Sequence, residues 1–187
     1  MFRRLIIAVV SLLMLVPVAA AETIGGADMP EMLKAGDQEL LLNGAGLRKK
    51  FFIKVYAGGL YLQQPGQSDP QKIIMADEPM AIRMCWLRDV PGDKIVNGWN
   101  TGFANSLDGN TGPLQEKIER FNAVFKDGCQ ENEIDEIVYT PESGVAVYKN
   151  GMMVQQIEGK DFKEALFGIW LGEKTEVADL KSQMLGE

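Results

Sequence analysis

The sequence predicts a single α+β domain, and three observations carry that prediction. A strand-like stretch runs from Leu40 to Leu62, a section with helical apolar spacing follows from Pro91 to Gly128, and short strands then helices return after Cys129. A chain of 187 residues that is 46% hydrophobic is long enough for one domain with a real core. No internal repeat or low-complexity tract divides it.

The first stretch, LLLNGAGLRKKFFIKVYAGGLYL, organises the rest. An apolar run, Gly44-Ala45-Gly46, a basic knot (Arg48, Lys49, Lys50) and a second run rich in aromatic and β-branched residues read as two strands broken by a turn. Arg48 and Tyr56 are eight residues apart. On one extended strand that is roughly 26 Å, too far to share a ligand. If the chain reverses between Lys49 and Ile53, they become cross-strand neighbours with Cβ atoms about 5 Å apart. A guanidinium beside a phenol then forms a clamp for a carboxylate or an enolate. The turn itself is poorly signalled, because Phe51 and Phe52 are not turn residues. Gly44-Ala45-Gly46 lacks the third glycine of a nucleotide loop and runs into strand instead of helix, so a strand bend or bulge is the simpler account. Gly58-Gly59 suggests a bulge or a close approach.

The remaining elements follow from punctuation and period. Residues 63–72 are loop by composition, and 73–90 read as strand pieces around a turn at Asp77 to Pro79. Pro91-Gly92 opens a helix with Ile95, Val96, Trp99 and Phe103 on one face; Asp108-Gly109-Asn110 closes it. Pro113 suits the first turn of the next helix, whose stripe is Leu114, Ile118, Phe121, Val124 and Phe125, ending at Asp127-Gly128. Strands follow at Ile134 to Tyr139, Gly144 to Tyr148 and Met152 to Ile157, the last two joined across Asn150-Gly151, a strong hairpin signal. Asp161 with Glu164 looks like a cap for a helix whose apolar face is Phe162, Ala165, Leu166, Ile169 and Trp170 and whose end is Gly172. A short last helix carries Leu180 and Leu185.

The amino terminus reads as a secretory signal. Arg3 and Arg4 form the positive region, Leu5 to Val16 the apolar stretch, and Ala19-Ala20-Ala21 the cleavage site. The apolar run falls short of the ~20 residues of a membrane span, so no stable span is expected once 1–21 is removed. The expectation is a periplasmic or secreted domain over 22–187, and losing Arg3 and Arg4 takes the formal charge from −7 to −9. An acidic surface argues against nucleic acid and anionic membrane as partners, while leaving a local site for an acidic ligand open.

Residue inventory prunes the chemistry. With no His, Ser-His-Asp and Cys-His machinery is excluded, and acid–base work would fall to Lys, Tyr or carboxylates. Two lone cysteines without His make no zinc spacing, so neither metal nor cofactor is expected. Cys85 and Cys129 fit either a disulfide in an oxidising compartment or two small buried hydrophobes.

GAGLRKKFFIKVYAGGLYL resembles the opening motif of the chalcone isomerase-like family, and FKEALFGIWLG…LKSQMLG resembles that family's close; between them the likeness spans roughly Gln38 to Gly186. The resemblance implies an open-faced β-sandwich, a large antiparallel sheet carrying a layer of helices, with an apolar ligand cleft between them. In members that bind fatty acids without catalysis, an Arg after the Gly-Ala/Thr-Gly and a Tyr in the following Val-Tyr hold the carboxylate, and Arg48 and Tyr56 match both positions. In the plant isomerases the Arg is kept and the Tyr56 position is Thr. Those enzymes also place a Tyr, a Lys and an Asn on a helix aligned with 93–100. Here the Tyr falls on Asp93, the Lys on Val96, and Asn100 matches the Asn; a Thr or Ser later in the fold falls on Ile169. Losing groups that orient the substrate removes selective transition-state stabilisation.

Two functions from different classes result. The first is a non-catalytic binder of a fatty acid or other small apolar carboxylate, with Arg48, Tyr56 and Asn100 at the ligand. The second is an isomerase, an intramolecular lyase acting on a chalcone-like enone through Arg48. The residues alone also allow Arg48 as a solvated charge in a basic turn, Tyr56 as a sheet aromatic, and the whole as a partner-binding subunit.

Overall fold

The computed structural model describes residues 22–187; the expected signal segment lies outside the described residues. Seven strands form one antiparallel sheet in chain order: β3 (Met32–Ala35), β4 (Gln38–Lys50), β5 (Ile53–Leu62), β6 (Met80–Trp86), β7 (Ile134–Thr140), β8 (Gly144–Lys149) and β9 (Met152–Ile157). A small hairpin of β1 (Glu22–Ile24) and β2 (Ala27–Met29) precedes it. Five helices complete the fold: α1 (Pro70–Met75), α2 (Gly92–Ser106), α3 (Gln115–Ala123), α4 (Lys160–Leu171) and α5 (Ala178–Met184). The architecture is α+β, a curled sheet with a helix layer.

The strand period of two sorts residues between the faces. Tyr56, Leu60 and Leu62 of β5, Met80, Ile82, Met84 and Trp86 of β6, and Ile137 and Tyr139 of β7 meet the helices. There they pack on an aromatic cluster in which Trp99, Phe103, Phe121, Phe125 and Phe162 lie ring to ring at 5.2–6.0 Å. Edge and tilted contacts of this kind add stability beyond the buried area. The opposite face is partly covered. The β1–β2 hairpin puts Ala27 and Met29 on Ala57 and Cys85, and the curl brings Ala35 and Leu40 over Tyr61, Ala81 and Val138.

Two glycines of the opening motif have a packing reason. A Cβ at Gly44 would strike the α5 backbone at Gln183 and Met184, and one at Gly46 would strike the Gln183 side chain. They let α5 lie across β4, where Gln183 Oε1 accepts from the Leu47 amide and Asn43 donates to the Met184 carbonyl. The strand register shifts between Leu42 and Gly44, the bulge expected there.

Two readings of local structure are corrected. Ile73, Ile74 and Met75 are helical, not strand: Asp69 caps α1 by accepting from the amides of Gln71 and Lys72, Pro70 fills its first position, and the strand begins only at Met80. Asp161 is not the cap of α4. Gly159, at φ +105, precedes the helix, and Asp161 sits in the first turn, accepting from Phe162 N and from Lys117. The Asn150-Gly151 hairpin stands as expected, both residues at positive φ.

Cys85 and Cys129 are free and buried. Cys85 belongs to the cluster under the β1–β2 hairpin and Cys129 to the core under the helices. Burial and the charge of Asp135 push the Cys129 thiol up to about 12. Among the described residues, no helix is long and apolar enough to cross a membrane.

Candidate functional site

The β4–β5 hairpin decides the site. Its register pairs Arg48 with Tyr56 directly across the two strands, and the next register pairs Tyr56 with Trp86 of β6. One row of side chains therefore crosses three strands on the helix face. Tyr56 and Trp86 meet edge to face at 5.4 Å. The reversal is tight: Lys50 pairs with Ile53, leaving only Phe51 and Phe52 in the loop.

Above this row, between sheet and helices, lies a cleft of about 820 Å³. Its apolar walls include Val55 and Trp86 from the sheet, Ile95 and Trp99 from α2, and Ile169 and Val177 from the carboxy-terminal helices and their link. The helix α2 turns Lys94, Gly98, Thr101 and Asn105 to the cleft, the i, i+4, i+7, i+11 face of a 3.6-residue period. Asn100 lies on the opposite face of that helix. It does not reach the cleft; its Oδ1 accepts from Asn122 of α3 at 2.7 Å. The expectation that Asn100 joins Arg48 and Tyr56 is therefore corrected by helical geometry.

The polar groups at the row are incompletely committed. Tyr56 is 8% exposed, and its hydroxyl accepts the indole N–H of Trp170 at 2.9 Å. Among the described residues its own proton has no acceptor. Burial raises the Tyr56 pKa, opposed by the Trp170 hydrogen bond and the charge of Arg48, so it stays a neutral donor. Arg48 donates to the Lys49 carbonyl, and no carboxylate stands within 4.0 Å of it among the described residues. Trp99, also in the wall and 6% exposed, has an indole N–H without an acceptor among the described residues. Buried donors in this state are costly unless a ligand takes them up.

The cleft is basic although the chain is acidic. Arg48, Lys50, Arg88, Lys94 and Lys174 line it against Asp89 and Glu176. Lys94 and Lys174 have exposed carboxylate neighbours, Asp93 at 3.5 Å and Asp108 at 2.7 Å. The sequence reading missed Arg88, Lys94, Lys174 and the Trp99 donor. The spacing of Lys94, Gly98, Thr101 and Asn105, a small and polar stripe beside the apolar stripe of Ile95, Trp99 and Phe103, was the available signal.

The positions set against the isomerase residues carry no substitute. Asp93 is exposed and pairs with Lys94, Val96 packs against the core, and Ile169 is an apolar wall residue in contact range of Gly102. A second polar cluster lies beyond Trp86, where ligand atoms of Cys129, Glu133 and Asp135 fall within 4.8 Å of one another. The Lys149 ammonium holds the position a cation would take there, 2.6 Å from Glu133, 3.7 Å from Asp135 and 3.5 Å from the Cys129 sulfur.

A family model described as chalcone isomerase-like matches residues 21–186. The chain belongs to that family. The crystal structure of a fatty-acid binding protein from Arabidopsis thaliana has the same fold, with a TM-score of 0.68 and 20% sequence identity over 86% of this chain and 92% of that one. At that identity the likeness is one of fold. No protein of curated function matches the sequence.

Proposed function

We propose that this chain is a periplasmic or secreted member of the family that binds a fatty acid or a similar small apolar carboxylate without transforming it. The observation that carries the reading is the cross-strand pair: a guanidinium that has no carboxylate beside it and a buried phenol whose proton has no acceptor among the described residues, both at one apolar-walled cleft. A carboxylate accepts from both at once, and charge-assisted bonds of this kind are the strong ones. The alkyl part then lies against Val55, Ile95, Ile169 and Val177. The cleft volume is in the range of small-molecule sites. The fatty-acid binding protein of the same fold supports the ligand class, and the pattern of Arg3, Arg4, the apolar run and Ala19-Ala20-Ala21 supports export.

An isomerase acting through Arg48 gains less support. With Val96 in the core and Ile169 in the wall, the groups that would hold a substrate phenol are replaced by hydrocarbon. Native mass spectrometry of protein purified from the periplasm, beside Arg48→Ala, tests the proposal. A co-purifying acyl acid in the wild type, absent from the variant, is the expected result. An empty wild type, or a ligand retained by the variant, contradicts it.

A further inference from the structure

The tip of the β4–β5 hairpin differs from the rest of the surface. Phe51 is 89% and Phe52 91% exposed, so two phenyl rings stand almost wholly in water. Between residues 48 and 54 the chain carries Arg48, Lys49, Lys50 and Lys54 and no acidic residue, in a protein whose formal charge is −7. Phe51 adopts φ +57, a left-handed conformation that a bulky L residue rarely takes. Backbone strain that turns two aromatic rings outward brings the isolated domain no burial in return.

We propose that this tip docks the protein on an anionic lipid bilayer, with Phe51 and Phe52 entering the interfacial region and Lys49, Lys50 and Lys54 pairing with headgroups. Charge complementarity selects the occupant. Aromatic side chains favour the bilayer interface, and clustered lysines favour an anionic leaflet. The net negative charge that argues against an anionic membrane for the chain as a whole is overruled locally at the tip, because charges more than about 8 Å away are screened at physiological salt. Lys50 and Phe51 also line the cleft, so docking would bring the cleft mouth to the lipid surface. The exposed edge strand offers a contrast: Met152 and Met153 are 70% and 56% exposed, but the nearby Lys149 is engaged with Glu133.

The test is co-sedimentation of the chain from Glu22 onward with vesicles of phosphatidylglycerol and phosphatidylcholine in equal parts, and with phosphatidylcholine alone. The wild type is expected in the pellet with the mixed vesicles only, and to leave it as salt is raised. Phe52→Ser, at a position outside the cleft wall, is expected to weaken the association roughly tenfold with an unchanged melting curve. Lys49→Gln with Lys54→Gln is expected to weaken it about 25-fold, at about fivefold per lysine. Met153→Ser is expected to match the wild type. Wild type that stays in the supernatant overturns the proposal, as an acidic protein partner in place of lipid would require. So does a Phe52→Ser variant that sediments equally well, or a Met153→Ser variant that loses as much. The vesicle comparison on wild type stands even where a variant fails to fold, and docking stands whether or not the cleft holds a fatty acid.

Discussion

Two cations of this fold make opposite use of their burial. Lys163 of α4 is fully buried, and its ammonium donates to the carbonyls of Ile73 at 3.2 Å, Ile74 at 2.6 Å and Ala76 at 2.7 Å. The rings of Tyr139 and Phe167 lie 5.3 Å and 5.9 Å from it. It ties the end of α1 to α4 and leaves no donor for anything else. Arg48 sits half-buried at the wall of an open cleft, bonded to one carbonyl, with no carboxylate at hand among the described residues. The first charge is structural because its partners are complete. The second keeps donors to spare, and the proposed carboxylate grip draws on them.

Substitution separates the two. Lys163→Met removes the donor of three carbonyls and is expected to cost about 2–4 kcal/mol, read as a lower midpoint in chemical denaturation. Arg48→Ala is expected to leave stability within about 0.5 kcal/mol and to weaken carboxylate binding more than tenfold. An Arg48→Ala protein that unfolds early would erase the distinction.

Tyr56 stands between these extremes, since it supports Trp170 and faces the cleft. Tyr56→Phe strands the Trp170 indole N–H and is expected to cost about 1–2 kcal/mol, together with a several-fold loss of ligand affinity. Because burial holds this phenol neutral, ligand affinity is expected to be flat through neutral and mildly alkaline pH. It should fall only where the ligand's own carboxylate protonates, near pH 4–5. A loss of affinity already at pH 8 would place a tyrosinate in the site.

The pH dependence of stability sharpens the Lys163 half. Burial, with a smaller contribution from Lys160, lowers its pKa from 10.5 to about 8, while Glu164, Asp77 and Glu78 pull upward. Above that value the unfolded chain holds the proton more firmly than the folded one, so this group's contribution to stability rises between pH 8 and 10. The stability difference between wild type and Lys163→Met is expected to move in favour of wild type across that window. A constant difference would mean that the buried amine is not titrating. The smallest effect belongs to Asn100→Ala. It should cost about 0.5–1 kcal/mol through the lost Asn122 bond and leave ligand affinity unchanged.

Much of this was legible in the sequence, for reasons that differ by element. The reversal near Phe51-Phe52 was legible, but a two-residue loop alone would set Arg48 against Val55; a register shift between Arg48 and Lys49, which no glycine or turn residue signals, moves Arg48 opposite Tyr56. The Asn150-Gly151 hairpin and the opening of α2 at Pro91-Gly92 rest on local backbone chemistry and appear where expected. Asn100 was misplaced because alignment to a family motif ignores helical phase, and a shift of two residues carries a side chain to the other face. The strand expected at Ile73 to Met75 failed because β-branched content outweighed the Asp69-Pro70 start signal. The basic lining of the cleft was hidden because Arg48, Arg88, Lys94 and Lys174 converge only in the folded chain.

The most direct test of the carboxylate grip is a calorimetric titration of a saturated fatty acid and the fatty alcohol of equal chain length into wild type and Arg48→Ala. Wild type is expected to prefer the acid at least tenfold, and the variant to bind acid and alcohol alike. Equal affinity for both ligands in the wild type would contradict an anion grip at Arg48 and Tyr56.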